Sequence, residues 1–293
     1  MRVGITILPE YRWAEAKPRW RAAQEYGFDH AWTFDHIAWT ALADHAWYAA
    51  VPTLALAAEV TDTIGLGVLV ASPNFRHPVP FAREVLALDD VTGGRFVLGV
   101  GAGGMGGYDS AVLGPAAVPA SPFRRYAEFV ELLDALLTRD HVTWHGEYYS
   151  AVDARNLPGC VQRPRVPFVM AANGPKALRL AARYGRGWVT TGLASDTLDG
   201  WWASLAGLSA RLDDELACRE GFERHLQTDG APVLSTGSVE LYRDFLGRAA
   251  ELGFTDVAAP WPRAEGPFAG DEDVLEAIAA EVLPDLRRTS TVD

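Results

Sequence analysis

The feature that most constrains this chain is a rhythm. Short runs apolar on consecutive residues, hence on both faces of a strand, alternate with longer stretches of helical periodicity. Residues 2–8 (RVGITIL), 28–34 (FDHAWTF), 63–71 (TIGLGVLVA), 95–101 (RFVLGVG), 167–172 (PFVMAA), 187–191 (GWVTT) and 254–260 (FTDVAAP) read as strands, with a weaker one over 223–228. Helices are expected over 13–27, 47–60, 79–91, 123–137, 175–184, 197–217, 238–252 and 272–283. Strands buried on both faces and separated by helices imply a parallel sheet. Eight such units in a chain of 293 residues imply a (β/α)8 TIM barrel, with a doubly wound open sheet as the alternative. With 49% hydrophobic residues the chain can bury one large core, so residues 1–293 read as a single domain. Two irregular stretches, 102–121 and 141–166, read as insertion loops at the barrel rim.

Charge narrows the partners. Lys and Arg total 26 against 38 Asp and Glu, a formal net charge of −12, which repels nucleic-acid phosphates and anionic membranes. A small-molecule substrate is the expected partner. The opening MRVGITILPE lacks a basic and then apolar leader pattern, so it reads as a strand and the chain as cytoplasmic. No apolar run is long enough to span a bilayer. Cys160 and Cys218 offer neither a disulfide framework nor metal-ligand spacing. His141 and His145 (HVTWH) have no accompanying carboxylate cluster, so no metal is expected.

Barrel chemistry gathers where strands end at their C-terminal side. The second strand ends on Asp35-His36, with Trp39 just beyond. Charge on that pair is out of place inside a core strand but suits a pocket mouth, where an imidazole exchanges protons near neutral pH. A histidine satisfied by a nearby carbonyl is the plain structural alternative. Other strand ends bring Ser72 and Asn74, Gly101 to Gly104, Ala172 to Gly174, Thr190 to Gly192, and Trp261 with Arg263. GAGGMG (101–106) matches the dinucleotide fingerprint in letters. That motif needs a helix to start there, and a loop with Tyr108-Asp109-Ser110 follows instead. In ANGPK (172–176) a turn leads to Pro175 in a first helical turn, whose free N–H groups suit a phosphate or simply make an ordinary strand-to-helix turn.

YGFDHAWTFDH (26–36), TDTIGLGVLVASPNFRHPVPFAREVLALDDVTGGRFVLGVGAG (61–103) and VPFVMAANGPKALRLAARYGRGWVTTG (166–192) together resemble the luciferase-like flavin and deazaflavin oxidoreductases. The resemblance implies a bacterial-luciferase-like barrel holding a flavin-type ring at its rim, commonly as a homodimer. On it, His36 and Trp39 are the expected catalytic pair: His36 at the reactive face of the ring, Trp39 beside the substrate. Leu69-Val70 resembles the bulge against the ring, often a non-prolyl cis peptide. The expected cofactor-binding set is Asp35, Leu69, Val70, Gly101, Gly103, Ala171, Ala172, Asn173, Gly174 and Thr191. Sugar-phosphate dehydrogenases of this branch carry a glutamate just after the Gly-x-Gly, where this chain has Gly104, so that reaction is not expected.

Three functions follow from this reading. The first is hydride transfer between coenzyme F420, a deazaflavin, and a small organic substrate. The second is a reduced-FMN monooxygenase on the same scaffold, since fold does not fix function. The third is a small-molecule binding protein without catalysis.

Overall fold

The computed structural model describes residues 1–104, 106–114, 121–216 and 219–290. Met105, residues 115–120 of the 102–121 insertion, Ala217 at the end of the expected 197–217 helix, and Cys218 lie outside the described residues. Ten strands occur in chain order among them: β1 (Arg2–Thr6), β2 (His30–Thr33), β3 (Gly65–Ala71), β4 (Phe96–Val100), β5 (His141–His145), β6 (Ser150–Arg155), β7 (Phe168–Ala171), β8 (Gly187–Thr190), β9 (Glu223–Gln227) and β10 (Asp256–Pro260). The helices are α1 (Trp13–Tyr26), α2 (Ala50–Ala58), α3 (Pro78–Val91), α4 (Tyr108–Ala111), α5 (Pro122–Thr138), α6 (Pro175–Tyr184), α7 (Leu198–Leu216), α8 (Val239–Glu251), α9 (Glu272–Glu281) and α10 (Leu283–Ser290).

Eight of these strands close a parallel barrel in the order β1-β10-β9-β8-β7-β4-β3-β2. Closure is made by β1 lying parallel to β10, with Arg2 opposite Asp256 and Thr6 opposite Pro260. The open-sheet alternative is thereby excluded. The weak strand expected at 223–228 is a full stave, paired with both β8 and β10.

Local signals explain most element ends. α3, α5 and α6 each begin on proline, whose missing N–H costs nothing there. Ser121 and Ser238 cap α5 and α8 by accepting backbone N–H bonds. The main core lies between the strands and the surrounding helices, filled by Trp20, Phe81, Phe96, Phe129, Trp188 and Phe245. A smaller apolar layer inside the barrel joins Trp32, Leu69, Val169, Val189 and Ala258.

The 141–166 stretch corrects the sequence reading of a plain loop. It contains an antiparallel hairpin, β5 with β6, nucleated where Glu128 accepts the N–H groups of Glu147, Tyr148 and Tyr149. The stretch connects a helix to the next strand, and Gln162 reaches the carbonyl of Phe96 at the start of β4. The hairpin turn runs back along α5 instead, where Glu147 pairs with Arg124 and Tyr149 lies edge-on to His77 ahead of α3.

Candidate active site

The C-terminal rim opens into a cavity of about 540 Å³, within the range of small-molecule and cofactor sites. Its floor is apolar: Leu69 and Val70 from β3, Ala171 and Ala172 from the end of β7, and Val189 from β8. The Leu69-Val70 peptide bond is cis, and the β3–β4 register shifts between Val68 and Ala71. Hydrogen bonds hold the floor from beneath. Trp188 Nε1 donates to the Ala172 carbonyl at 2.6 Å, Thr190 Oγ1 to Asn173 Oδ1 at 2.9 Å, and Trp201 Nε1 to the Thr191 carbonyl at 2.8 Å.

Two glycines of the wall are required by close packing. A methyl group at Gly101 would stand 2.6 Å from Val70 Cγ2 and 3.2 Å from Ala171 Cβ. Gly103 has a φ of 76°, and a Cβ there would lie 2.4 Å from Asn74 Nδ2. Such a backbone suits glycine and lets a ligand approach bare main chain. Asn74 in turn bridges two elements: Nδ2 donates to the Gly104 carbonyl at 3.0 Å, while Arg125 donates to Oδ1 at 2.8 Å.

One wall carries an imidazole and a carboxylate. His36 follows β2, and its Nδ1 lies 2.5 Å from Asp109 Oδ2. Oδ1 of the same carboxylate accepts the N–H groups of Ile37 at 2.8 Å and Ala38 at 3.3 Å. Trp47 Nε1 donates to the His36 carbonyl at 3.0 Å. With the Asp109 carboxylate accepting from Nδ1, Nε2 is the nitrogen left to a ligand, an arrangement in which a carboxylate orients an imidazole. Trp39 lines the same wall, edge-on to Phe34 and stacked on Phe268 with ring centres 5.6 Å apart.

Of the residues expected at the site, the cavity wall gathers His36, Trp39, Leu69, Val70, Gly101, Gly103, Ala171, Ala172, Asn173 and Thr191. Asp35 is not among them. Its buried carboxylate faces Arg76 in a two-pronged pair at 2.5 and 2.7 Å, and Arg76 also reaches Glu84 at 2.6 Å. The charge at the end of β2 is thus neutralised within the wall, as burial demands. Gly174 is also outside the cavity, exposed as the residue capping α6. The dinucleotide reading of GAGGMG fails because α4 starts only at Tyr108 and is four residues long.

Two carboxylates of the wall were not anticipated, Asp109 and Asp229. Asp109 stands in α4, a four-residue helix within a glycine-rich stretch and too short to show a helical period. Asp229 follows β9, the one stave too weak in sequence for its end to be read.

A second polar cluster lies within the barrel, toward its N-terminal end. His30 Nε2 is 3.1 Å from Asp256 Oδ1, and His225 Nε2 is 3.2 Å from Glu223 Oε2. The two imidazoles and Asp256 are close enough to share an ion, but their hydrogen bonds oppose one. Trp32 Nε1 donates to His30 Nδ1, so the neutral ring must carry its proton on Nε2, toward Asp256. Arg2 pairs with Asp256 and Glu223, and Arg186 with Glu223, which supplies the positive charge a metal would bring. Burial alone would raise the Asp256 pKa, but the His30 hydrogen bond and the Arg2 guanidinium, with His225 nearby, hold it well below the usual carboxylate range.

Fold and site together define a (β/α)8-barrel protein with one ligand cavity among the described residues at its C-terminal rim. The family model for luciferase-like monooxygenases matches residues 1–216, and the chain belongs to that family. It is similar to an F420-dependent glucose-6-phosphate dehydrogenase of Beutenbergia cavernae, 38% identical over 177 residues that cover 58% of this chain and 50% of the relative. A 5,10-methylenetetrahydromethanopterin reductase of Methanopyrus kandleri is 28% identical over 194 residues, covering 63% of this chain and 53% of that protein. The chain spans about half the length of the curated relatives it matches. Among solved structures, the coenzyme F420-dependent tetrahydromethanopterin reductase of Methanopyrus kandleri superposes with a TM-score of 0.78 at 19% identity, over 97% of this chain and 99% of that one. Among the described residues no helix is long and apolar enough to cross a membrane.

Proposed function

We propose that this protein is an oxidoreductase that uses coenzyme F420 to move a hydride to or from a small organic substrate. The observation that carries the reading is an apolar cavity floor of Leu69, Val70 and Ala171 beside main chain kept bare at Gly101 and Gly103, where a Cβ would collide with Val70 and Asn74. A planar tricyclic ring fits such a slot, and the F420-dependent relatives agree with it. When bound, the deazaflavin supplies the hydride chemistry.

The chain's own residues do the rest. The main chain of Ala171 to Asn173 and Gly101 to Gly103, with Thr191 beside it, would hold the cofactor. His36, fixed by Asp109, holds or releases the proton that accompanies the hydride at Nε2. Trp39, braced between Phe34 and Phe268, orients the substrate and excludes water. The carboxylate of Asp35 serves by anchoring the end of β2 to Arg76, which keeps His36 in place.

Sugar phosphates do not match this wall. Gly104 offers no carboxylate, and none of the described lining residues is Lys or Arg. Turnover in air with each reduced cofactor tests the reading. Deazaflavin-dependent turnover without oxygen uptake is expected. Oxygen-dependent turnover with FMN alone would establish a flavin monooxygenase instead, and tight ligand binding without turnover would establish a binding protein.

A further inference from the structure

Several polar groups of the cavity wall are held by protein partners. His36 Nδ1 meets Asp109, Asn74 bridges the Gly104 carbonyl and Arg125, and Asn173 Oδ1 accepts from Thr190. Gln227, the last residue of β9, lines the same cavity and is only 6% exposed. Its carboxamide makes no hydrogen bond to any described residue, and it does not cap the short turn of Thr228–Gly230 that follows. Neither its Oε1 nor its Nε2 is sealed off by protein, so both face the cavity.

The main chain on either side of this amide is fixed. Gln227 stands opposite Ala258 of β10, whose small side chain leaves the space beside it open. Thr228 Oγ1 and Ser235 Oγ are hydrogen-bonded at 2.7 Å, and Gly230 lies so close to β8 that a Cβ would come 2.2 Å from the Thr191 carbonyl oxygen. Two residues earlier, on the same face of the strand, His225 fills the layer beneath, edge-on to Trp32 with ring centres 6.0 Å apart. The amide therefore has no polar group below it to turn to. A ligand that covers this floor expels the water around the amide, and leaving its N–H and C=O unpaired is costly. An apolar ligand face incurs that cost. A planar edge with a carbonyl beside an N–H removes it, because it pairs with the carboxamide's donor and acceptor together.

We propose that Gln227 is a binding residue that reads a planar carbonyl–N–H edge, that of an imide or lactam, on the ligand entering the cavity. The inference deepens the proposed function and rests on the cavity being its ligand site. Two ligands of that reaction can carry such an edge: the dione end of a flavin-type ring, or an amide of the substrate. The chemistry that Gln227 recognises is the same in both.

The test titrates the full chain, without added cofactor, with phthalimide and N-methylphthalimide by calorimetry, and separately with oxidised F420 by ring fluorescence. Wild type is expected to bind phthalimide roughly tenfold more tightly than its N-methyl form, and Gln227→Leu to bind the two alike. Gln227→Met, unbranched and close in length, takes its place if the Leu variant folds poorly. A parallel loss of about tenfold in F420 affinity assigns the edge to the ring. Unchanged F420 affinity, with the imide preference gone, assigns it to the substrate. No preference between the imides in wild type, or a preference that survives in both variants, overturns the inference. Failure of wild type to bind F420 would sink the proposed reaction, while the imide preference would still decide the role of Gln227.

Discussion

His36 and Asp109, separated by 73 positions in the chain, meet through Nδ1 and Oδ2 at 2.5 Å on the cavity wall. The segment after β4 thus completes an imidazole–carboxylate pair begun at the end of β2. If the two act as one, their effects on rate are not additive. His36→Ala is expected to slow hydride transfer about 10²-fold or more. Asp109→Asn should slow it about tenfold, and the double variant should be no slower than His36→Ala. Stopped-flow single-turnover rates check this, and purely additive losses would separate the residues.

Gly103→Ala is expected to weaken ring binding and cost the fold about 1–3 kcal/mol. The new methyl group meets Asn74 and the backbone sits at positive φ. Denaturant unfolding measures the stability and fluorescence titration the affinity.

How far the sequence reveals this site depends on the kind of signal. Staves and helices declared themselves by apolar period, and His36, Trp39 and the Gly101–Gly103 cradle by their place at strand ends. The Asp35–Arg76 and His36–Asp109 pairs were not legible, because a charged pair leaves no periodic trace and its partners lie 41 and 73 positions apart. The β5–β6 hairpin was hidden for a related reason. Half of each strand faces solvent, and Glu128, which fixes its turn, belongs to α5.

Asp256 should dominate acid stability. Its folded pKa lies below its unfolded value, so its contribution is present above the unfolded pKa near 4 and lost as pH falls through the folded one. Asp256→Asn is expected to cost about 3–5 kcal/mol at neutral pH, since it leaves His30, His225 and Arg2 without their shared carboxylate. Urea unfolding at several pH values gives the comparison, and the gap between variant and wild type should narrow in strong acid.

Asp229 has the opposite sign. Its pKa is raised in the fold to about 6, so it favours the folded state below its unfolded pKa and loses that contribution as pH rises through about 6. Asp229→Asn should therefore be more stable than wild type above that pH, by roughly 1–2 kcal/mol. Melting curves between about pH 4 and pH 8 test this through the direction of the difference.

The account turns most directly on the equilibrium titration of purified protein with oxidised F420 and with FMN, followed by ring fluorescence, in wild type and in Gly101→Val. Saturable binding of F420 by wild type, in preference to FMN and lost in the variant, is the expected result. Saturable binding of FMN alone, or F420 binding that survives Gly101→Val unchanged, would contradict it.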